Sequence, residues 1–174
     1  MKKVLSIILV LVTLGAVCSS FCGCALFENT RVFNCHELSL TLEREYFKVD
    51  VSSKGYDAAY GSTENDLLIY LKRESFLSLE DAVITEENTT LDYAKHVLSM
   101  YDEYAPTFDD SDPERPFLSY SKPVDGEQNE YVIYFLRSDD AFWRIQFVGP
   151  SEKWESLSVY SLEVLESITF NYEN

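Results

Sequence analysis

Two hydrophobic periodicities take turns along this chain, one of two residues and one near 3.6, and together they predict a mixed fold. Leu38, Leu40 and Leu42 alternate with Glu37, Ser39 and Thr41, the mark of a half-buried strand within Phe33 to Leu42. A second strand runs from Ala58 to Ser62, and after Thr63-Glu64-Asn65-Asp66 comes Leu67 to Leu71, apolar on both faces and so covered on both sides. Ser78 followed by Glu80 and Asp81 predicts a capped short helix to about Ile84. Thr89 to Tyr104 is the clearest helix: Thr89 with Asp92 makes a capping box, and Leu91, Ala94, Leu98 and Tyr101 form its apolar stripe, widened by Val97 and Tyr104.

The last third predicts an antiparallel meander. Phe117 to Lys122 is a strand placed at a sheet edge by Pro123, Asp125-Gly126 sits in the turn, and Tyr131 to Arg137 is apolar on both faces. Ala141 to Val148 points Ala141, Trp143, Ile145 and Phe147 to the core, with Arg144 and Gln146 interrupting a less covered opposite side. Ser151 caps a final helix with Trp154, Leu157, Leu162 and Leu165 inward, and Ile168 to Phe170 returns as a short strand. The fold class expected is α+β, an α/β/α sandwich with a central antiparallel sheet.

The beginning of the chain follows neither period. Lys2 and Lys3 precede an almost unbroken apolar run from Val4 to Val17, and Phe21-Cys22-Gly23-Cys24 closes it. This resembles a bacterial lipoprotein signal, in which a small residue before a cysteine allows its lipidation and cleavage in front of it. Gly23 makes Cys24 the expected lipidated residue, since Cys18 and Cys22 follow the bulky Val17 and Phe21. The organisation expected is a signal peptide at 1–23, a membrane-proximal linker at 24–32 and one domain at 33–174. An uncleaved N-terminal transmembrane anchor is the alternative, because roughly 20 apolar residues cross a bilayer; secretory cleavage near Ser19 is another. All three place the domain outside the cytosol, as Lys2 and Lys3 hold the start inside.

Charge narrows the choice of partners. Lys+Arg 14 against Asp+Glu 30 gives a net charge of −16, and loss of Lys2 and Lys3 with the leader makes the body more negative still. Nucleic acid is excluded as a partner and anionic lipid as a docking surface, so attachment rests on the N-terminus alone, and partners narrow to an envelope protein or a small ligand. With Cys24 acylated and Cys18 and Cys22 gone, Cys35 is the one thiol left, expected as a small buried hydrophobe rather than a nucleophile. Its neighbour His36 points to the opposite face if both lie in one strand.

Candidate chemistry is sparse, and no catalytic, metal or cofactor signature emerges. Asp92 and His96 lie one turn apart on the polar side of the central helix, where they suit holding a cation or positioning a proton, although an ordinary solvated i,i+4 pair has the same spacing. The acidic run Asp109 to Glu114 fails the calcium-loop template, with Arg115 at the glycine position and Ser121 at the closing glutamate, which leaves a solvated connection. The function expected is a membrane-tethered, non-enzymatic binding or scaffolding domain. The alternative is an extracytoplasmic enzyme using a carboxylate/His site assembled by the fold.

Three segments carry a resemblance: Tyr56-Asp57-Ala58-Ala59-Tyr60, Thr90-Leu91-Asp92-Tyr93-Ala94 and Ser138-Asp139-Asp140-Ala141-Phe142-Trp143. In order and spacing they resemble the PsbP-like domain of extrinsic photosystem proteins, a Ran-binding nuclear transport factor and small lipoproteins of Gram-positive bacteria. The resemblance implies an antiparallel-sheet α/β/α sandwich from about Phe33 to Phe170. It includes no catalytic motif, and none of the family's partner-contacting residues is matched here, so it implies a fold and no partner.

Overall fold

The computed structural model describes residues 29–79 and 83–171, so the leader, Cys24 and its flanking residues lie outside it. No described helix is long and apolar enough to cross a membrane. The strands are β1 (Thr30–Cys35), β2 (Leu38–Glu43), β3 (Phe47–Val49), β4 (Ala58–Gly61), β5 (Leu68–Ser75), β6 (Thr107–Asp109), β7 (Phe117–Val124), β8 (Glu127–Arg137), β9 (Ala141–Pro150) and β10 (Thr169–Phe170). The helices are α1 (Phe76–Leu79), α2 (Thr90–Leu98) and α3 (Trp154–Glu166).

A seven-stranded antiparallel sheet in the order β3-β4-β5-β9-β8-β7-β6 forms the middle layer. Cross-strand partners share a face, which sorts the residues of β5, β9 and β8 into two sets. One face carries Ile69, Leu71, Trp143, Ile145 and Phe147, and is covered by α3 and the small sheet β1-β2-β10 through Leu38, Leu40, Leu42, Leu157 and Leu165. The other carries Ile133, Phe135 and Phe142, covered by Phe76 of α1 and by Tyr93, Ala94 and Val97 of α2. This is the expected α+β fold with helices on both sides of an antiparallel sheet, one layer being shared with a second small sheet.

Local signals explain most of the elements. Asp125 and Gly126, both with positive φ (53° and 91°), make the two-residue turn that matches strand twist between β7 and β8. The Thr89 hydroxyl accepts from the Asp92 amide at 3.1 Å while the Asp92 carboxylate accepts from the Thr89 amide at 2.9 Å, a complete capping box at the start of α2. Gly149 lets α3 lie close to β9, since a Cβ there would stand 2.6 Å from Leu157 Cδ1.

The structure departs from the sequence reading where a tertiary contact outweighs a local pattern. Phe33 to Leu42 is a hairpin, with β1 and β2 joined at His36 and Glu37, and His36 takes the turn's left-handed conformation (φ 51°). The helix expected from Ser78 begins earlier, at Phe76, whose ring is drawn into the core; Ser78 lies inside α1 with its hydroxyl donating to the Ser75 carbonyl. The buried residues of α2 are Thr90, Tyr93, Ala94 and Val97, with Leu91 and Leu98 half-buried; the α-helix ends at Leu98, and Tyr101 lies in the 3₁₀ turn from Ser99 to Tyr104. Ser151 caps no helix: its hydroxyl donates to Glu130, and a 3₁₀ turn precedes α3. Leu162 is 48% exposed, and Ser161 and Val164 take the inward positions. β7 is not an edge strand, since β6 pairs with its first part, although β6 ends before Pro123. The opposite side of β9 is covered too, with Phe142, Gln146 and Val148 all buried.

Candidate functional site

α2 spans only part of its face of the sheet. Beyond its reach that face continues through Leu68 and Tyr70 of β5, Gln146 and Val148 of β9 and Tyr131 of β8, in register as Leu68↔Val148↔Tyr131 and Tyr70↔Gln146↔Ile133. The β3–β4 loop, carrying Lys54 and Tyr56, walls this floor on one side, and Val124 and Asn129 of the β7–β8 hairpin wall the other. The result is an open groove of about 290 Å³.

Tyrosine dominates its walls. Tyr56 packs on Tyr70 with ring centroids 4.8 Å apart, and Tyr131 stacks on Tyr120 at 4.8 Å, which in turn stacks on Tyr104 at 4.9 Å. Burial holds the phenols of Tyr56, Tyr70, Tyr131 and Tyr120 above the usual tyrosine pKa, so all are neutral and able both to donate and to accept. The Tyr56 hydroxyl donates to Gln146 Oε1 at 3.2 Å, leaving the amide nitrogen to a ligand. Asn129 Nδ2 donates to the Glu127 carbonyl at 3.2 Å, leaving its oxygen to accept. Next along β9, Arg144 donates to Glu74 Oε1 at 2.9 Å, and its buried Nε has no hydrogen-bond partner. Among the described residues, the groove's lining includes Lys54 and no carboxylate, in a chain with Asp+Glu 30. A cavity of 410 Å³ beside α1 is larger, but Glu86 and Glu87 line it.

The sequence candidates lie elsewhere. Asp92 is committed to the α2 cap, its carboxylate accepting from both the amide and the hydroxyl of Thr89 and held below the usual range by those hydrogen bonds. No ion pair joins it to His96, and neither residue lines the groove. Among the described residues, no group of three His, Cys, Asp or Glu side chains could hold a metal. Cys24 lies outside the described residues. Cys35 is buried as expected, and burial, then Asp57, push its thiol up to about 11, which keeps it protonated. His36 reaches Asp57 instead, Nε2 to Oδ1 at 3.4 Å, because the hairpin turn rather than strand alternation sets its direction.

The segments that carried the resemblance have a structural role. Glu37 accepts from Arg73 Nε at 3.1 Å, Trp143 Nε1 at 3.0 Å and the Ser138 hydroxyl at 2.8 Å; Arg73 also reaches Asp140, and its backbone amide donates to Asp57 at 2.7 Å. Tyr93 stacks on Phe142 at 4.5 Å with the rings 6° from parallel. The three motifs thus pin the β1–β2 hairpin and α2 to the same end of the main sheet. Sequence reasoning missed the groove because Tyr56, Tyr70 and Tyr131 belong to different elements; the available signal was the count of tyrosines, 12 in the chain.

No family model matches this chain, and no curated protein sequence matches it. Solved structures do. A protein from Bacteroides thetaiotaomicron VPI-5482 is similar at TM-score 0.56 and 8% identity, over 83% of this chain and 50% of its own, so this chain spans about half its length. Cyanobacterial PsbP (CyanoP) from Synechocystis sp. PCC 6803 is similar at TM-score 0.45 and 14% identity, over 82% of this chain and 92% of its own. LpqN, involved in cell envelope biogenesis of Mycobacterium tuberculosis, is similar at TM-score 0.49 and 11% identity, over 83% and 93%. At these identities the likeness is one of fold alone. The chain shares an α+β fold with the Bacteroides protein.

Proposed function

We propose that this protein is a membrane-tethered extracytoplasmic binding domain, non-enzymatic, held by a lipid on Cys24 and using the tyrosine-lined groove to take a ligand. The observation that carries the reading is the groove itself: a floor that α2 does not reach, with neutral phenols and amides converging on it and, among the described residues that line it, no carboxylate, histidine or thiol. Such a surface suits recognition rather than proton transfer, since burial moves its tyrosines away from physiological titration. The tether is compatible with this use. Four residues separate Cys24 from Asn29, whose carbonyl accepts from the Arg44 amide, so the five steps between them span at most about 18 Å. β1, which begins at Thr30, belongs to the small sheet on the face of the main sheet opposite the groove.

One experiment with two arms tests the reading. Cys24→Ser is expected to lose fatty-acid labelling and to keep its leader, because cleavage follows lipidation, and fatty-acid labelling that persists in Cys24→Ser would overturn this residue as the lipid anchor. A form of the protein beginning after Cys24, and so without an anchor, is expected to sediment with isolated envelopes more than the same form carrying Tyr131→Ala; equal sedimentation would overturn the groove as the binding site.

A further inference from the structure

The groove's chemistry restricts what can occupy it. We propose that it binds a neutral glycan, the faces of successive sugar rings lying on Tyr70 and Tyr131 while sugar hydroxyls bond to Gln146, Asn129 and the tyrosine hydroxyls; this rests on the groove being the binding site.

Charge is the first restriction. The chain's −16 repels an anionic polymer at long range. A cation would have to shed its water in a lining that holds Lys54 and no carboxylate to replace it. A neutral ligand meets neither penalty.

The backbone imposes the second. β5, β9 and β8 are each paired on both sides within the seven-stranded sheet, so the floor offers no free N–H or C=O to an added peptide strand. Recognition falls to side chains. Those side chains are of mixed character, which is the third restriction. Gln146 presents a donor and Asn129 an acceptor, while the hydroxyls of Tyr70 and Tyr131, without hydrogen-bond partners among the described residues, can do either. Sugar hydroxyls are likewise both donors and acceptors. A proline-rich peptide, the other ligand that favours aromatic grooves, presents mainly carbonyl acceptors and would leave the acceptors here unpaired.

Shape agrees with these chemical arguments. Leu68, Val148 and Val124 add apolar surface between the rings, suiting the C–H faces of a pyranose. The groove is shallow and open, unlike the enclosed cavity an acyl chain needs, and its 290 Å³ stands at the lower end of ligand sites, the size of a short stretch of polymer.

The test is calorimetric titration of the full mature protein, in a detergent without a sugar headgroup, with cellohexaose, chitohexaose and a proline-rich decapeptide. Binding of at least one hexasaccharide is expected, weakened about tenfold or more by Tyr131→Ala and by Tyr70→Ala. Tyr131→Phe keeps the ring and removes only the hydroxyl, and is expected to bind more weakly than wild type but more tightly than Tyr131→Ala, which separates the stacking from the hydrogen bond. Gln146→Ala should weaken binding while circular dichroism stays native. Saccharide binding indifferent to all three groove positions would overturn the proposal. So would peptide binding that Tyr131→Ala abolishes, with neither saccharide bound: that result removes the glycan and keeps the groove. If no probe binds, the glycan is refuted, and the envelope sedimentation comparison then decides the groove independently.

Discussion

At the scale of single residues, Glu37 shows how a carboxylate is kept charged inside an acidic protein. Burial alone would raise its pKa, but hydrogen bonds from its own backbone, Ser138, Arg73 and Trp143 outweigh that and hold it below its ordinary value of 4.5. A carboxyl whose folded pKa is depressed contributes stability that is present above the ordinary pKa and lost as pH falls through the folded one. Glu37→Gln is therefore expected to cost about 2 kcal/mol at neutral pH. The deficit should shrink as pH drops below 4.5, read by urea unfolding of both proteins across that range. A deficit constant with pH would mean that the packing of Glu37, rather than its charge, holds the hairpin. Glu43 shows the reverse case: burial, with Glu45, Glu163 and Glu64 nearby, raises its pKa, so its ionised form opposes folding at neutral pH.

At the scale of elements, α2 depends on both its ends. Its first turn is closed by Thr89 and Asp92, and its buried residues Tyr93, Ala94 and Val97 fix how much of the sheet it covers. Thr89→Ala should lower unfolding stability by about 1 kcal/mol, measured by chemical denaturation. Because the cap is remote from the groove lining, the same substitution should leave ligand affinity unchanged. A loss of affinity without loss of stability would return Asp92 and His96 to consideration as a binding pair. The aromatic ladder Tyr104–Tyr120–Tyr131 links the 3₁₀ turn after α2 to the groove wall, so the helix that limits the groove also shapes one side of it.

At the scale of the whole molecule, the negative charge acts on folding as well as on partners. Seven ion pairs are formed among the described residues, and several, such as Lys153 with Asp66 and Arg115 with Asp112, are solvent-exposed. Such pairs contribute little, whereas −16 spread over one small body repels itself. Thermal unfolding is expected to shift upward as sodium chloride is raised from low to physiological concentration, because screening relieves the repulsion. A downward shift would show that the ion pairs outweigh it.

Local rules made much of this architecture legible in the sequence. The capping box at Thr89 and Asp92, the Asp125-Gly126 turn and the period-2 strands each depend on atoms a few residues apart, so the order of amino acids fixes them directly. Strand-to-strand order and helix faces were legible only in part: Leu162 satisfies a helical period yet faces solvent, and His36 interrupts an apparently continuous strand at a turn. The groove was decided by tertiary structure alone. Tyr56, Tyr70, Tyr131 and Gln146 meet because four segments are brought together, and because α2 stops short of covering them. No spacing along the chain encodes how far a helix reaches across a sheet, since that reach is set by packing between residues distant in sequence.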